Sequence, residues 1–180
     1  MTDILPLASF GPRIMICGPS NAGKSTLAAA IERQARTPAV HLDRLYHLPD
    51  TNWVARPFEE FARLRDAAIL GESWVMEGNY SKLWPQRLAR ATGIVVLVDN
   101  RWANFGRYLR RTLFQKHRPG NLPGARDSLK WAMIHWILLA SPRNLERYRV
   151  DLPKSGLPFL EVHGMRGLKR LHAAWGLTRG

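Results

Sequence analysis

The chain has 180 residues, enough for one domain with a sizeable core, and its 46% hydrophobic and 23% charged composition is that of a globular protein. No apolar run reaches the roughly 20 residues of a membrane-spanning helix, residues 1–10 lack the basic start of a signal peptide, and one cysteine, Cys17, excludes an internal disulfide framework. A cytoplasmic protein without membrane association is therefore expected. The formal charge is +13, and residues 100–150 carry eleven Lys or Arg against two Asp or Glu, so nine of those charges sit in one segment. Such an excess suits either a nucleic-acid surface or a site that receives several phosphates.

Along the chain, short apolar runs alternate with helix-like stretches, the pattern of an α/β fold with a parallel sheet. Strands are expected at 13–17, 39–43, 74–77, 93–98 and 158–163. The run Ile94-Val95-Val96-Leu97-Val98 is apolar and mostly β-branched, as a central strand covered on both faces requires. Helices are expected at 24–34, 58–70, 101–114, 126–140 and 168–175. Asp99 reads as the cap of the helix that follows it, and Ser141-Pro142 as a fresh helix start. The run Arg118-Pro119-Gly120-Asn121-Leu122-Pro123-Gly124 is loop by its turn chemistry. Cys17, Trp131 and Trp136 are expected in the core.

The most specific feature is Gly18-Pro19-Ser20-Asn21-Ala22-Gly23-Lys24-Ser25, which lies between an apolar strand and a helix. Glycine, four residues, glycine, lysine and serine is the spacing of a phosphate-binding P-loop. Its glycines let the backbone curl so that successive N–H groups converge on an anion, and the helix after them adds its positive end. Lys24 supplies a mobile cation for the β- and γ-phosphates. The Ser25 hydroxyl can join the shell of a Mg²⁺, and Thr26 can reach the α-phosphate. Asp43 and Glu77 follow at the carboxyl ends of expected strands, where open α/β sheets bind ligands. A carboxylate there can hold a metal-bound water or take a proton from an acceptor hydroxyl. The histidines are not spaced as a metal site.

The P-loop, with His41-Leu42-Asp43-Arg44-Leu45-Tyr46 and Trp53 after it, resembles the adenylate-kinase-like group of small P-loop kinases. More narrowly, Trp74-Val75-Met76-Glu77-Gly78-Asn79-Tyr80-Ser81 is similar to that group's bacterial branch of DNA topology modulation proteins. Asp99-Asn100-Arg101-Trp102, then Arg107, Arg110 and Arg111, continue the likeness. Glu77 stands where that branch often carries Asp. The resemblance implies a three-layer P-loop NTPase with a five-stranded parallel sheet, nucleoside monophosphate kinase-like, with a helical lid insertion. One domain would span 1–180, with an acceptor-binding region at about 44–72 and the lid at about 115–150. ATP and Mg²⁺ are implied, with the γ-phosphoryl group passing to a small acceptor such as a nucleoside monophosphate. Arg107 and Arg111 would pack on the adenine, and the stretch 163–166, with Arg166, would cradle the base. Arg118, Arg143 and Arg147 would close over the transferring phosphate. The acceptor would meet Asp43, Arg44, Arg63, Glu77, Gly78, Asn79 and Arg87, with Arg56 a further anion-binding option. The alternative is an NTP-binding protein whose main partner is nucleic acid, contacted by guanidinium groups interleaved with Trp102, Trp131 and Trp136.

Overall fold

Four of the five residues of β1 (Arg13–Cys17) are buried, because this strand is paired on both sides. The other strands are β2 (Ala39–His41), β3 (Trp74–Glu77), β4 (Gly93–Val98) and β5 (Phe159–His163). All neighbours run parallel, in the order β2-β3-β1-β4-β5. The computed structural model describes residues 4–114 and 129–178. Its helices are α1 (Lys24–Ala35), α2 (Leu42–Tyr46), α3 (Phe58–Ile69), α4 (Trp84–Leu88), α5 (Arg101–Phe114), α6 (Trp131–His135), α7 (Ser141–Asp151) and α8 (Gly164–Ala174). Among the described residues, no helix is long and apolar enough to cross a membrane.

Alternation along the strands builds the three layers. Ile14 and Ile16 of β1, with Val95 and Leu97 of β4, pack with Leu27 and Ile31 of α1 and Leu168 and Leu171 of α8. Met15 and Cys17, with Ile94 and Val96, face the opposite way, onto Phe61 and Ile69 of α3, Trp84 of α4, and Leu145 and Tyr148 of α7. A strand covered on both faces must be apolar at every position, which is why β1 and β4 read as unbroken runs.

Four expected boundaries shift. The second strand ends at His41 rather than at residue 43, so Asp43 lies in the first turn of α2. Asn100, not Asp99, caps α5, since its Oδ1 accepts the Trp102 N–H at 2.8 Å. Ser141 starts no separate helix. The chain is helical from α6 through a π turn (Trp136–Ala140) into α7, and the Ser141 N–H donates to the Trp136 carbonyl. This wider turn lets the helix pass Pro142, which has no N–H of its own to donate. The final helix begins at Gly164, four residues ahead of the expected start. Trp131 and Trp136 are not core residues, being 81% and 38% exposed. Residues 115–128, which include Arg118 and the whole of the expected loop, lie outside the described residues.

Parallel pairing brings every strand's carboxyl end to one edge. His41 and Ile16 both stand in register with Glu77, and Val98 with His163. The far edge is closed by Phe10, in a short 3-10 turn before β1, whose ring meets Trp175 edge-on at 5.3 Å and is fully buried. Phe10→Ala is expected to cost about 3–5 kcal/mol of unfolding free energy, measured by chemical denaturation.

Candidate functional site

The loop between β1 and α1 has the strained backbone that its sequence calls for. Gly18 adopts φ +137°, and a Cβ there would run into the Leu97 carbonyl. Asn21 is left-handed at φ +64°. Lys24 is the first residue of α1, and its Nζ donates to the carbonyls of Gly18 at 3.1 Å and Pro19 at 2.9 Å. The ammonium therefore lies across the loop it serves. Pro19 and Ala22 are buried, Ser20, Gly23 and Ser25 half-buried, and Thr26 exposed one residue into the first turn.

Beside the loop, the Ser25 hydroxyl donates to Glu77 Oε1 at 2.9 Å, and His41 Nδ1 lies 3.0 Å from the same oxygen. A carboxylate only accepts, so His41 carries its proton on Nδ1. Glu77 is 2% exposed. Burial by itself would raise its pKa, but the His41 hydrogen bond, the Lys24 charge and the Ser25 hydroxyl outweigh burial and hold it below the usual carboxylate range. A hydroxyl and a carboxylate oxygen side by side form a hard donor set that suits Mg²⁺ carried in with a triphosphate. Among the described residues no cluster of His, Cys, Asp and Glu forms a separate metal cage.

The other half of the edge carries Asp43, on the solvent side of α2, whose Oδ1 accepts the Tyr80 hydroxyl at 2.7 Å. Burial, then the charge and hydrogen bond of Asp43, push the Tyr80 phenol far above its ordinary value, so Tyr80 remains a donor. Tyr80 and Tyr46 pack 5.2 Å apart, both against Phe61, and His47 meets Trp53 at 5.1 Å. These rings wall the region expected to hold the acceptor.

The arginines divide sharply. Arg107 donates to the Asn21 carbonyl at 2.8 Å and pairs with Asp99, bracing the loop from α5. Arg111, on the same helix, has its guanidinium 5.7 Å from the Tyr108 ring centre. Arg166 is exposed in the first turn of α8. Arg44 and Arg63 are exposed, and Arg56 pairs with Glu60 and donates to the Leu45 carbonyl. Arg87 is not at the surface. It is 1% exposed and donates to the carbonyls of Gly78 and Asn79. Arg143 and Arg147 sit on α7, which is anchored in the core by Leu145 and Tyr148. Arg147 donates to Ser81 Oγ at 2.6 Å and lies over Trp84.

Two participants escape the motif reading. His41 orients Glu77 from the end of β2. Arg65 is 1% exposed on the inner face of α3, between Phe61 and Ile69. The spacing 61, 65, 69 marks that face, since residues four apart in a helix are neighbours.

No protein-family model matches the sequence, and no curated protein matches it. Solved structures do. A gluconokinase from Sinorhizobium meliloti 1021 superposes with TM-score 0.58 at 13% identity, over 93% of this chain and 91% of its own. A shikimate kinase from Acinetobacter baumannii, solved in complex with shikimate, superposes at 0.50 with 16% identity, over 90% and 92%. This chain therefore has the fold of the P-loop kinases, with a five-stranded parallel sheet between helical layers.

Because the folded pKa of Glu77 lies below its unfolded value of about 4.3, its stabilising contribution is full above that pH. It is lost as pH falls through the folded value. Glu77→Gln lacks this contribution, so its unfolding free energy is expected to decline less than the wild type's from about pH 5 downward, followed by urea denaturation at successive pH values.

Proposed function

We propose that the protein is a Mg²⁺- and ATP-dependent kinase that transfers the γ-phosphoryl group to a hydroxyl or phosphate oxygen of a small acceptor. The observation that carries this reading is the hydrogen bond between Ser25 of the loop and Glu77 of the neighbouring strand. It sets a hydroxyl and a carboxylate beside Lys24, on the same sheet edge as the exposed carboxylate of Asp43, which Tyr80 holds.

The loop N–H groups and the first turn of α1 bind the phosphates, and Lys24 turns from its carbonyl partners to the transferring group. Ser25 and Glu77 would hold Mg²⁺ from the protein side, where it would neutralise charge building on the phosphate oxygens. For a hydroxyl acceptor, the oxygen bonds to the γ-phosphorus, the bond to the β,γ-bridging oxygen breaks, and ADP departs. Asp43 accepts the acceptor's proton, with Tyr80 fixing the carboxylate's orientation. Arg107 and Arg111 would face the nucleotide from α5, and Arg166 the base from α8. Arg44 and Arg63, both exposed, would meet an anionic acceptor. The adenylate-kinase-like resemblance favours a nucleoside monophosphate, and the gluconokinase and shikimate kinase folds add small polyhydroxy acids.

A second reading, association with nucleic acid, is favoured by the exposure of Trp102, Trp131 and Trp136 within the most basic segment. Exposed aromatic faces beside guanidinium groups stack on unpaired bases.

Lys24→Ala is expected to weaken MgATP binding at least tenfold in calorimetry, given a lost charge-assisted contact of about 1.5–3 kcal/mol. Unchanged binding would remove the P-loop assignment. With labelled ATP and a panel of nucleoside monophosphates, gluconate and shikimate, one acceptor should be phosphorylated. Asp43→Asn should then lower kcat about a hundredfold or more while ATP affinity stays within about threefold. Transfer to none of them, together with tight binding to a single-stranded oligonucleotide that weakens steeply with salt, would favour the second reading.

A further inference from the structure

Asn79 and Gly18 are 61 residues apart, yet the Asn79 amide grips both polar groups of Gly18. The Gly18 N–H donates to Asn79 Oδ1 at 3.1 Å, and Asn79 Nδ2 donates to the Gly18 carbonyl at 3.0 Å. A side-chain amide can close such a ring because its donor and acceptor stand side by side. The Gly18 carbonyl also accepts from Lys24, so Asn79 and the loop lysine share one oxygen.

The residue that grips is itself held. Trp84 Nε1 donates to the Asn79 carbonyl at 2.6 Å, and the buried Arg87 donates there at 2.9 Å and to the Gly78 carbonyl at 2.8 Å. Gly78 has φ +130°, and a Cβ on it would stand 2.9 Å from Leu42 Cβ. Tyr80 follows in the left-handed region at φ +30° and reaches Asp43. This short segment is thus clamped beneath by α4, joined to the phosphate loop by Asn79, and joined to the acceptor side by Tyr80.

We propose that Asn79 is a positioning residue for the phosphate-binding loop rather than an acceptor ligand. Its amide fixes the Gly18 peptide, and Arg87 with Trp84 fixes Asn79. Gly18 is the first residue of the loop, so rotation of its peptide would turn the N–H groups that follow away from a common centre. The Arg87 guanidinium thereby acts on nucleotide binding from a buried position, through two carbonyls and one side chain. This inference rests on the assignment of residues 18–25 as the nucleotide-phosphate site.

The test uses the full chain, MgATP calorimetry, hydrogen exchange by mass spectrometry, and thermal melts. Asn79→Ala should raise the Kd for MgATP about tenfold, as expected when two neutral hydrogen bonds are lost. Exchange should quicken in residues 14–24 and stay unchanged in 93–98. Asn79→Asp keeps the acceptor for the Gly18 N–H but sets a carboxylate against the Gly18 carbonyl, and it should show the same pattern. It serves as the second variant if Asn79→Ala does not fold. Leu145→Ala, on the core face of α7, should lower Tm while leaving the Kd and the exchange of 14–24 as in the wild type. Wild-type affinity in both Asn79 variants, or an equal loss of affinity in Leu145→Ala, would overturn the proposal and leave the P-loop assignment standing. Failure of the wild-type chain to bind nucleotide would overturn both.

Discussion

One buried carboxylate oxygen, Glu77 Oε1, meets Ser25 from the phosphate loop and His41 from the end of β2. Burying a charge this deeply is costly unless it is paired and hydrogen-bonded. The parallel sheet meets that condition by bringing three strand ends together at one edge. The rest of the site is arranged around that joint. Lys24 lies close enough to help keep Glu77 ionised, Asn79 holds the loop's first residue from β3's side, and Arg107 holds Asn21 from β4's side.

The positive charge that dominates the sequence has several destinations rather than one. Arg65 and Arg87 are buried close together, each with its pKa lowered, chiefly by desolvation. Arg87 spends its donors on backbone carbonyls. Arg107 pairs with Asp99, and Arg149 with Glu161 on β5, the latter fastening α7 to the sheet edge. Arg143 and Arg147 stand on that fastened helix. A basic run in the sequence is thus partly a set of internal struts, and net charge alone does not distinguish a strut from a phosphate clamp.

Aromatic residues show the same division. Trp74 and Trp84 are core residues that also donate through their indole N–H groups, Trp74 to the Ile69 carbonyl and Trp84 to the Asn79 carbonyl. Trp102 and Trp131 stand largely exposed. Trp84 underlies the Gly78-Asn79 segment while Trp74 begins β3 at the other end of the strand, and the second pair belongs to the basic helices after β4.

The sequence by itself determined the sheet, the helical layers and the phosphate loop. Those features depend on local rules: continuous apolar runs for doubly covered strands, and a glycine-lysine-serine spacing contained within eight residues. Glu77 was legible as a carboxylate at a strand end, because parallel strands present their carboxyl ends together, whereas Asp43, read the same way, stands past the end of β2 in the first turn of α2. Only the tertiary structure decided which groups meet. It gave the two carboxylates different partners, put Asn79 on Gly18 and buried Arg87, because pairings across 52, 61 and 9 residues follow from sheet order and helix docking. It also turned Trp131 and Trp136 outward, since helical spacing identifies a face but not whether another layer covers it.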